Sequence, residues 1–141
     1  MSTILGRVTV ILSFAEQFSD ILAIGYDFSL GMLHKAKEKD LSDKVIFIMG
    51  DAASLSFADD YFDIVCCSHA LYELKGQDRE KALFEMARVV KPNGRVLIME
   101  RTFSTLNPMF SSIYLYNFQD WNDMDRLLSS PRFNKGIRVN F

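Results

Sequence analysis

Four residues carry groups that could hold a small polar ligand: Asp27, Asp51, Glu100 and Ser68. Each stands just after, or at the end of, a short apolar run. Ile21-Leu22-Ala23-Ile24 precedes Asp27, Val45 to Met49 precedes Gly50-Asp51, Phe62 to Cys67 precedes Ser68, and Arg95 to Met99 precedes Glu100. Such runs read as buried strands. If the strands are parallel, their carboxyl ends lie on one edge of a sheet, where open α/β sheets bind ligands. A carboxylate there can accept both hydroxyl protons of a ribose. Asp27 or Ser29 can also cap the helix that follows, and the two roles are compatible. Acceptors without a basic cluster suit a neutral or cationic nucleoside better than a polyphosphate. No GxxxxGK[ST] loop for a triphosphate and no GxGxxG loop for a dinucleotide is present.

The elements that must position these residues alternate between helix and strand. A helix is expected from about Arg7 to Phe18, although Val8, Val10 and Leu12 alternate in a way that also suits a strand. A strand over Ile21–Tyr26 follows. Leu30 to Glu38 reads as an amphipathic helix, with Met32, Leu33 and Ala36 inward and Lys35, Lys37 and Lys39 in solvent. Val45–Met49 is the clearest strand, Ala52 to Asp60 a loop with a turn at Asp59-Asp60, and Phe62–Cys67 a further strand. After a loop or short helix over Ser68–Leu74, Asp78 to Val90 is a strong helix with Asp78 as its cap. Lys91-Pro92-Asn93-Gly94 ends it and Arg95–Met99 is a strand. Beyond that, Asn107 to Phe118 and Asp120 to Leu128 read as helices and Ile137–Phe141 as the start of a strand. The pattern implies a parallel sheet with right-handed crossovers.

The chain has 141 residues, 49% hydrophobic and 24% charged, with a net charge of −2, which suits one domain with a sizeable core and offers no footprint for nucleic acid. Cys66 and Cys67 are adjacent, so in a strand they point to opposite faces and read as reduced, buried thiols of a cytoplasmic protein. No zinc spacing accompanies them or His34 and His69, and no metal site is expected. Arg7 interrupts the apolar N-terminal run, which reads as domain sequence rather than a leader, and no run is long enough to span a membrane.

In order and spacing, Gly25-Tyr26-Asp27-Phe28-Ser29, Val45 to Ala52, Asp60 to Leu71 and Glu85 to Glu100 resemble the class I S-adenosylmethionine-dependent methyltransferases. The likeness is closest to the group that includes the ubiquinone and menaquinone biosynthesis enzymes. It covers about Gly6 to Glu100, within a single methyltransferase-like domain of residues 1–141 whose part from 101 onward is a partial C-terminal region. The resemblance implies a Rossmann-like, doubly wound, mostly parallel sheet, S-adenosylmethionine as cofactor and a small-molecule methyl acceptor. It implies that Asp27 holds the ribose hydroxyls, that Phe28 and Met32 lie against the adenosine, and that Asp51 accepts from the adenine amino group with Ala52 as a backbone contact. Ser68 would lie near the methionine part, and Lys91-Pro92-Asn93-Gly94 would be a structural turn.

The departures are at the ends. The family opens with a strand ending in an acidic residue and a three-glycine loop; here Leu5-Gly6-Arg7-Val8-Thr9 resembles only the tail of that motif, with Gly6 its last glycine. The family's first and last strands are therefore expected to be missing, and the domain truncated at both ends. Loss of a central strand would leave buried unpaired edges, at roughly 1–3 kcal/mol for each stranded group. Either the flanking strands pair directly, or the N-terminal segment substitutes as a strand, or the chain is marginal. Two function classes follow: a methyltransferase, or a non-catalytic remnant or partner subunit that joins a homo- or hetero-oligomer through an open sheet edge. His69, Tyr72 and the run Met109–Tyr116, which could cover an apolar acceptor such as a quinone, are further candidates, each more simply read as loop or core.

Overall fold

Ser2–Gly6 (β1) is the central strand of the sheet, paired in parallel with Ile21–Asp27 (β2) on one side and with Phe62–Ser68 (β4) on the other. In this computed structural model residues 1–68, 74, 77–101 and 111–117 are described, with the side chains at 9, 68, 99–101 and 111–117 set aside. Val8–Gln17 (α1), Leu30–Lys39 (α2), Val45–Met49 (β3), Gln77–Val89 (α3), Val90–Arg101 (β5) and Ser111–Asn117 (β6) complete the elements. The strand order is β3-β2-β1-β4-β5-β6, parallel throughout except for β6, which runs antiparallel to β5. The doubly wound α/β expectation holds.

The expectation that the first strand is missing is corrected: the N-terminal segment supplies it. Ile4 and Leu5 alternate across the sheet, Ile4 packing with Ile11, Ala15 and Ala23 beneath α1, and Leu5 with Ile24, Val65 and Met86 beneath α3. Two apolar residues show no periodicity of their own; a five-residue strand buried on both faces is recognisable only through its neighbours. With β1 in place, the inner edges of β2 and β4 are paired. α1 forms as expected, and the alternating Val8-Val10-Leu12 pattern gives way to helical spacing: Val8, Ile11 and Ala15 are the buried face.

A second correction concerns residues 107–118. Ser111–Asn117 is a strand, not a helix, in register with Arg95–Arg101 of β5. Ile113, Tyr114, Leu115 and Tyr116 are β-branched, aromatic or apolar types that suit a strand as well as a helix face. The expected helix at Asp120–Leu128, the strand at Ile137–Phe141, and His69 and Tyr72 lie outside the described residues. So does most of the expected loop or short helix over Ser68–Leu74. α3 begins at Gln77, which places Asp78 and Glu80 in its first turn, where a negative charge suits the helix dipole.

The expected turn at Lys91-Pro92-Asn93-Gly94 is corrected: α3 ends at Val89, β5 starts at once with Val90, and these four residues lie inside β5, where the β4–β5 register shifts between Phe62 and Ile64 to absorb them as a bulge. Gly94 is required there by close approach: a Cβ would sit 2.8 Å from the Asp63 carbonyl oxygen and 3.0 Å from that of Lys91. At the same edge Asp63 Oδ2 accepts from the Thr3 N–H (2.8 Å) and the Thr3 hydroxyl (2.9 Å), and Lys91 Nζ reaches Oδ1 at 2.9 Å. These bonds, led by the Thr3 N–H, hold the Asp63 carboxyl down at about 2. One carboxylate thereby joins the amino ends of β1, β4 and β5.

Candidate functional site

Parallel pairing of β1 to β5 puts their carboxyl ends on one edge, and a cavity of about 490 Å³ opens there. That is the size range of small-ligand sites. Gly6, Asp27, Phe28, Asp51 and Ala52 all line it, so the structure brings together five of the seven residues singled out from the sequence. Met32 is not among its lining residues; it sits in the first turn of α2, where its N–H donates to Ser29 Oγ at 3.4 Å. Ser68 is the last residue of β4, in register with Met99. Glu100 lies within β5, opposite Ser112 of β6.

Asp27 is the buried charged residue of the described chain, 7% exposed. β2 delivers it: Gly25, two residues earlier, lets Phe47 and Val8 close over the strand, since a Cβ there would meet Phe47 Cδ1 at 2.9 Å and Val8 Cγ1 at 3.2 Å. Asp27 Oδ1 accepts from the Ser29 N–H at 2.9 Å, which turns the chain into α2, and Ser29 then caps that helix. Asp27 Oδ2 has a longer neighbour, Arg7 Nε at 3.7 Å. The Gly50 N–H donates to the Asp27 carbonyl at 3.0 Å and so ties the end of β3 to the end of β2. Asp51 follows directly. Its Oδ1 accepts from the Ala53 N–H at 2.9 Å, shaping the turn that leaves the strand.

The side of the cavity toward α3 is apolar, formed by Leu5, Leu55, Val65 and Met86. Leu55 belongs to the 52–60 loop, which α3 clamps. Arg88 donates to the carbonyls of Leu55 (3.0 Å) and Phe57 (2.8 Å) and to Asp59 Oδ1 (2.7 Å), while the Leu55 N–H donates to Glu85 Oε2 at 2.7 Å. Arg88 in turn bonds both Glu85 oxygens and, with the Leu55 N–H, lowers the Glu85 carboxyl below its ordinary value. The loop ends in the expected turn, with Asp60 in the left-handed region at φ 55°.

Two lining residues missed from the sequence are polar. Tyr26 reaches toward the Asp51 carbonyl, at 3.5 Å, and a Cβ at Gly50 would collide with its ring and hydroxyl, so that glycine makes room for the tyrosine. Burial, and then the negative charge of Asp51, push the Tyr26 hydroxyl above its ordinary range, which keeps it protonated and a donor at neutral pH. Arg7, between Gly6 and α1, is the second; with β1 unmarked by its own residues, no local signal pointed to it. Cys66 and Cys67 also line the cavity from opposite faces of β4. Burial pushes the Cys66 thiol up to about 12, so it stays neutral and is no nucleophile. The crevice thus presents two carboxylates, a guanidinium, a protonated phenol and an apolar wall: a surface for binding and orienting rather than for acid–base work.

A methyltransferase domain family matches residues 5–98. A demethylmenaquinone methyltransferase of Renibacterium salmoninarum is 40% identical over 101 residues, covering 72% of this chain and 40% of the relative. A ubiquinone/menaquinone biosynthesis C-methyltransferase of Vibrio campbellii is 32% identical over 96 residues, covering 68% of this chain and 36% of the relative. Among solved structures, the YcgJ protein of Bacillus subtilis superposes with a TM-score of 0.62 at 30% identity, over 71% of this chain and 44% of that one. The chain therefore spans about 40% of the length of the curated relatives it matches.

Proposed function

Since this chain belongs to the methyltransferase domain family, we propose that its carboxyl-edge crevice binds S-adenosylmethionine and presents the methyl group to a small acceptor of quinone type. The observation that carries the reading is the pairing of a buried carboxylate, Asp27, with a second carboxylate, Asp51, at the ends of adjacent strands β2 and β3. The Arg7 guanidinium stands 3.7 Å from Asp27 Oδ2, which can accept from ribose hydroxyls. Asp51 and Ala52 are one strand further along, suited to the adenine edge, with Phe28 (75% exposed) at the mouth to cover the adenosine. Gly6 and Ser68, at the ends of β1 and β4, border the methionine part. Met32, in the first turn of α2, would approach the adenosine from the same side as Phe28.

The cofactor supplies the activated methyl group, and transfer is an in-line displacement that depends on positioning. The chain's contribution is to hold the nucleoside by its hydroxyls and to keep water from the apolar wall of Leu5, Leu55, Val65 and Met86. The relatives' names support a quinone-type acceptor, and the apolar lining is consistent with one. Isothermal titration with S-adenosylmethionine and S-adenosylhomocysteine tests the reading. Saturable binding that falls at least about 100-fold in Asp27→Ala is expected, as for loss of a charged hydrogen-bond partner to a diol. A folded chain that binds neither compound contradicts it.

A second property is compatible with this one. We infer that β3, the terminal strand of the described sheet, can pair with another chain, since Ile46 (48%) and Met49 (59%) are exposed along it. Light scattering of the purified chain, compared with an Ile46→Lys variant, tests it; a monomer in both contradicts it.

A further inference from the structure

We propose that Tyr26 is a positioning residue for base selection: its hydroxyl holds the Asp51–Ser54 turn at the height where the crevice accepts adenine and rejects a base without the amino group. The inference rests on the cofactor reading above and deepens it.

Tyr26 stands beside Asp27 near the end of β2, in register with Ile48 of β3. Its side chain packs on the α3 face of the sheet, against the core that holds Leu5, Leu55 and Phe62. From there it reaches past the end of β3 and fills the space at Gly50, where a Cβ would collide with the ring and the hydroxyl. Phe57 meets the ring edge-on at 5.8 Å, and the fully buried Phe62 meets Phe57 edge-on at 5.0 Å. Backed by two aromatic rings, and with the glycine leaving room for its tip, the tyrosine is held in one place.

That place is inside the loop that follows β3. The far half of this loop is held from α3, where Glu85 and Arg88 bond the Leu55 backbone and Arg88 also reaches Phe57 and Asp59. The near half closes on itself: Asp51 Oδ1 accepts from the Ala53 N–H at 2.9 Å, and the Asp51 carbonyl from the Ser54 N–H at 3.0 Å. Such bonds fix the shape of the turn but not its height over the sheet. The Tyr26 hydroxyl links it to β2. It lies 3.5 Å from the same Asp51 carbonyl, which has two lone pairs to offer, and shares a side-chain hydrogen bond with Ser56. One side chain of the sheet thereby joins both ends of the 51–56 segment.

The turn carries the edge that would read the base, since Asp51 and Ala52 both line the cavity. Adenine presents an amino donor there; hypoxanthine presents a carbonyl oxygen at the same ring position. A carboxylate fixed at that edge accepts from the first and repels the second, whereas one free to retreat tolerates both. Discrimination between such close analogues depends on polar groups that cannot relax around the wrong one. The hydroxyl thus acts on selectivity, while Asp27 carries the binding of the ribose.

The test titrates S-adenosylhomocysteine and S-inosylhomocysteine, in which hypoxanthine replaces adenine, into the full chain and into Tyr26→Phe, which keeps the ring and removes the hydroxyl. The unaltered chain is expected to prefer the adenosyl ligand at least about tenfold, and the variant to lose about three- to tenfold of that preference. The loss falls on the adenosyl ligand, with the inosyl ligand bound equally well or more tightly. Equal weakening of both ligands, as a merely structural tyrosine would give, overturns the inference. So does a preference kept within about twofold, or no preference in the unaltered chain, and each of these leaves the methyltransferase reading standing. Binding of neither ligand by the unaltered chain overturns both. Should the variant not fold, the Cζ NMR signal of Tyr26 in the unaltered chain decides: it shifts more with S-adenosylhomocysteine than with S-inosylhomocysteine, and an equal response to both overturns the inference.

Discussion

Asp27 and Asp63 are the same group at opposite edges of one sheet. Asp63, second residue of β4, is met by three short bonds from Thr3 and Lys91, all within 2.9 Å, and its acidity is raised accordingly, to about 2. Asp27, last residue of β2, is more deeply buried, yet one oxygen meets the Ser29 N–H and the other a guanidinium at 3.7 Å. A carboxylate that the chain satisfies fully serves the fold. One that is buried and left with a loose partner costs desolvation without full return, and that pattern belongs at a ligand site. The amino edge of this sheet holds the strands together and the carboxyl edge is left open for chemistry.

The largest effect that would sharpen this contrast is on stability at the amino edge. Asp63→Ala strands the Thr3 N–H and the Lys91 ammonium and is expected to cost about 2–3 kcal/mol in urea unfolding, with affinity for S-adenosylhomocysteine within about threefold of the unaltered chain at a temperature where both are folded. A large loss of affinity by the folded variant would break the contrast. Arg88→Ala should come next, at about 1–2 kcal/mol, because Arg88 is partly exposed and water replaces some of its bonds. This variant differs from the first in also weakening ligand binding severalfold, since Arg88 sets the 52–60 loop that carries Leu55 into the cavity wall.

Acid should act mainly through the structural carboxylates. Asp63 and Glu85 have folded values below their unfolded ones, so their stabilisation is present above the unfolded values and is lost as pH falls through the folded ones, which for Asp63 extends down to about 2. Urea midpoints should therefore drop over that range, and the drop should be shallower in Asp63→Asn. A midpoint independent of pH there would mean these bonds add nothing. Smallest is Ser29→Ala, which removes a 3.4 Å cap from α2 and should cost about 0.5 kcal/mol, measured by the same urea titration.

Much of this arrangement is legible in the sequence. The strands β2, β3 and β4 are apolar runs that end in polar residues, and α2 and α3 have a clear helical face; that is why Asp27 and Asp51 could be placed at one edge. β1 was not legible. Its pairing with both neighbours decides its conformation, and Ile4 and Leu5 alone carry no period. β6 was illegible for a related reason: the run Ile113-Tyr114-Leu115-Tyr116 suits either period until β5 is there to pair with it. In the site, Tyr26 and Arg7 escaped notice because nothing local marks them. Tyr26 counts as a strand residue until Gly50 is seen to yield it space, and Arg7 as an interruption until Asp27 is seen beside it.

The most direct test of the division between the two edges is NMR of the 15N-labelled chain titrated with S-adenosylhomocysteine. The amides of Gly6, Arg7, Asp27, Phe28, Asp51 and Ala52 should shift in a saturable way, while those of Thr3, Tyr61, Asp63 and Lys91 stay in place. Saturable shifts centred on the amino edge, or none at the carboxyl edge, would contradict the account.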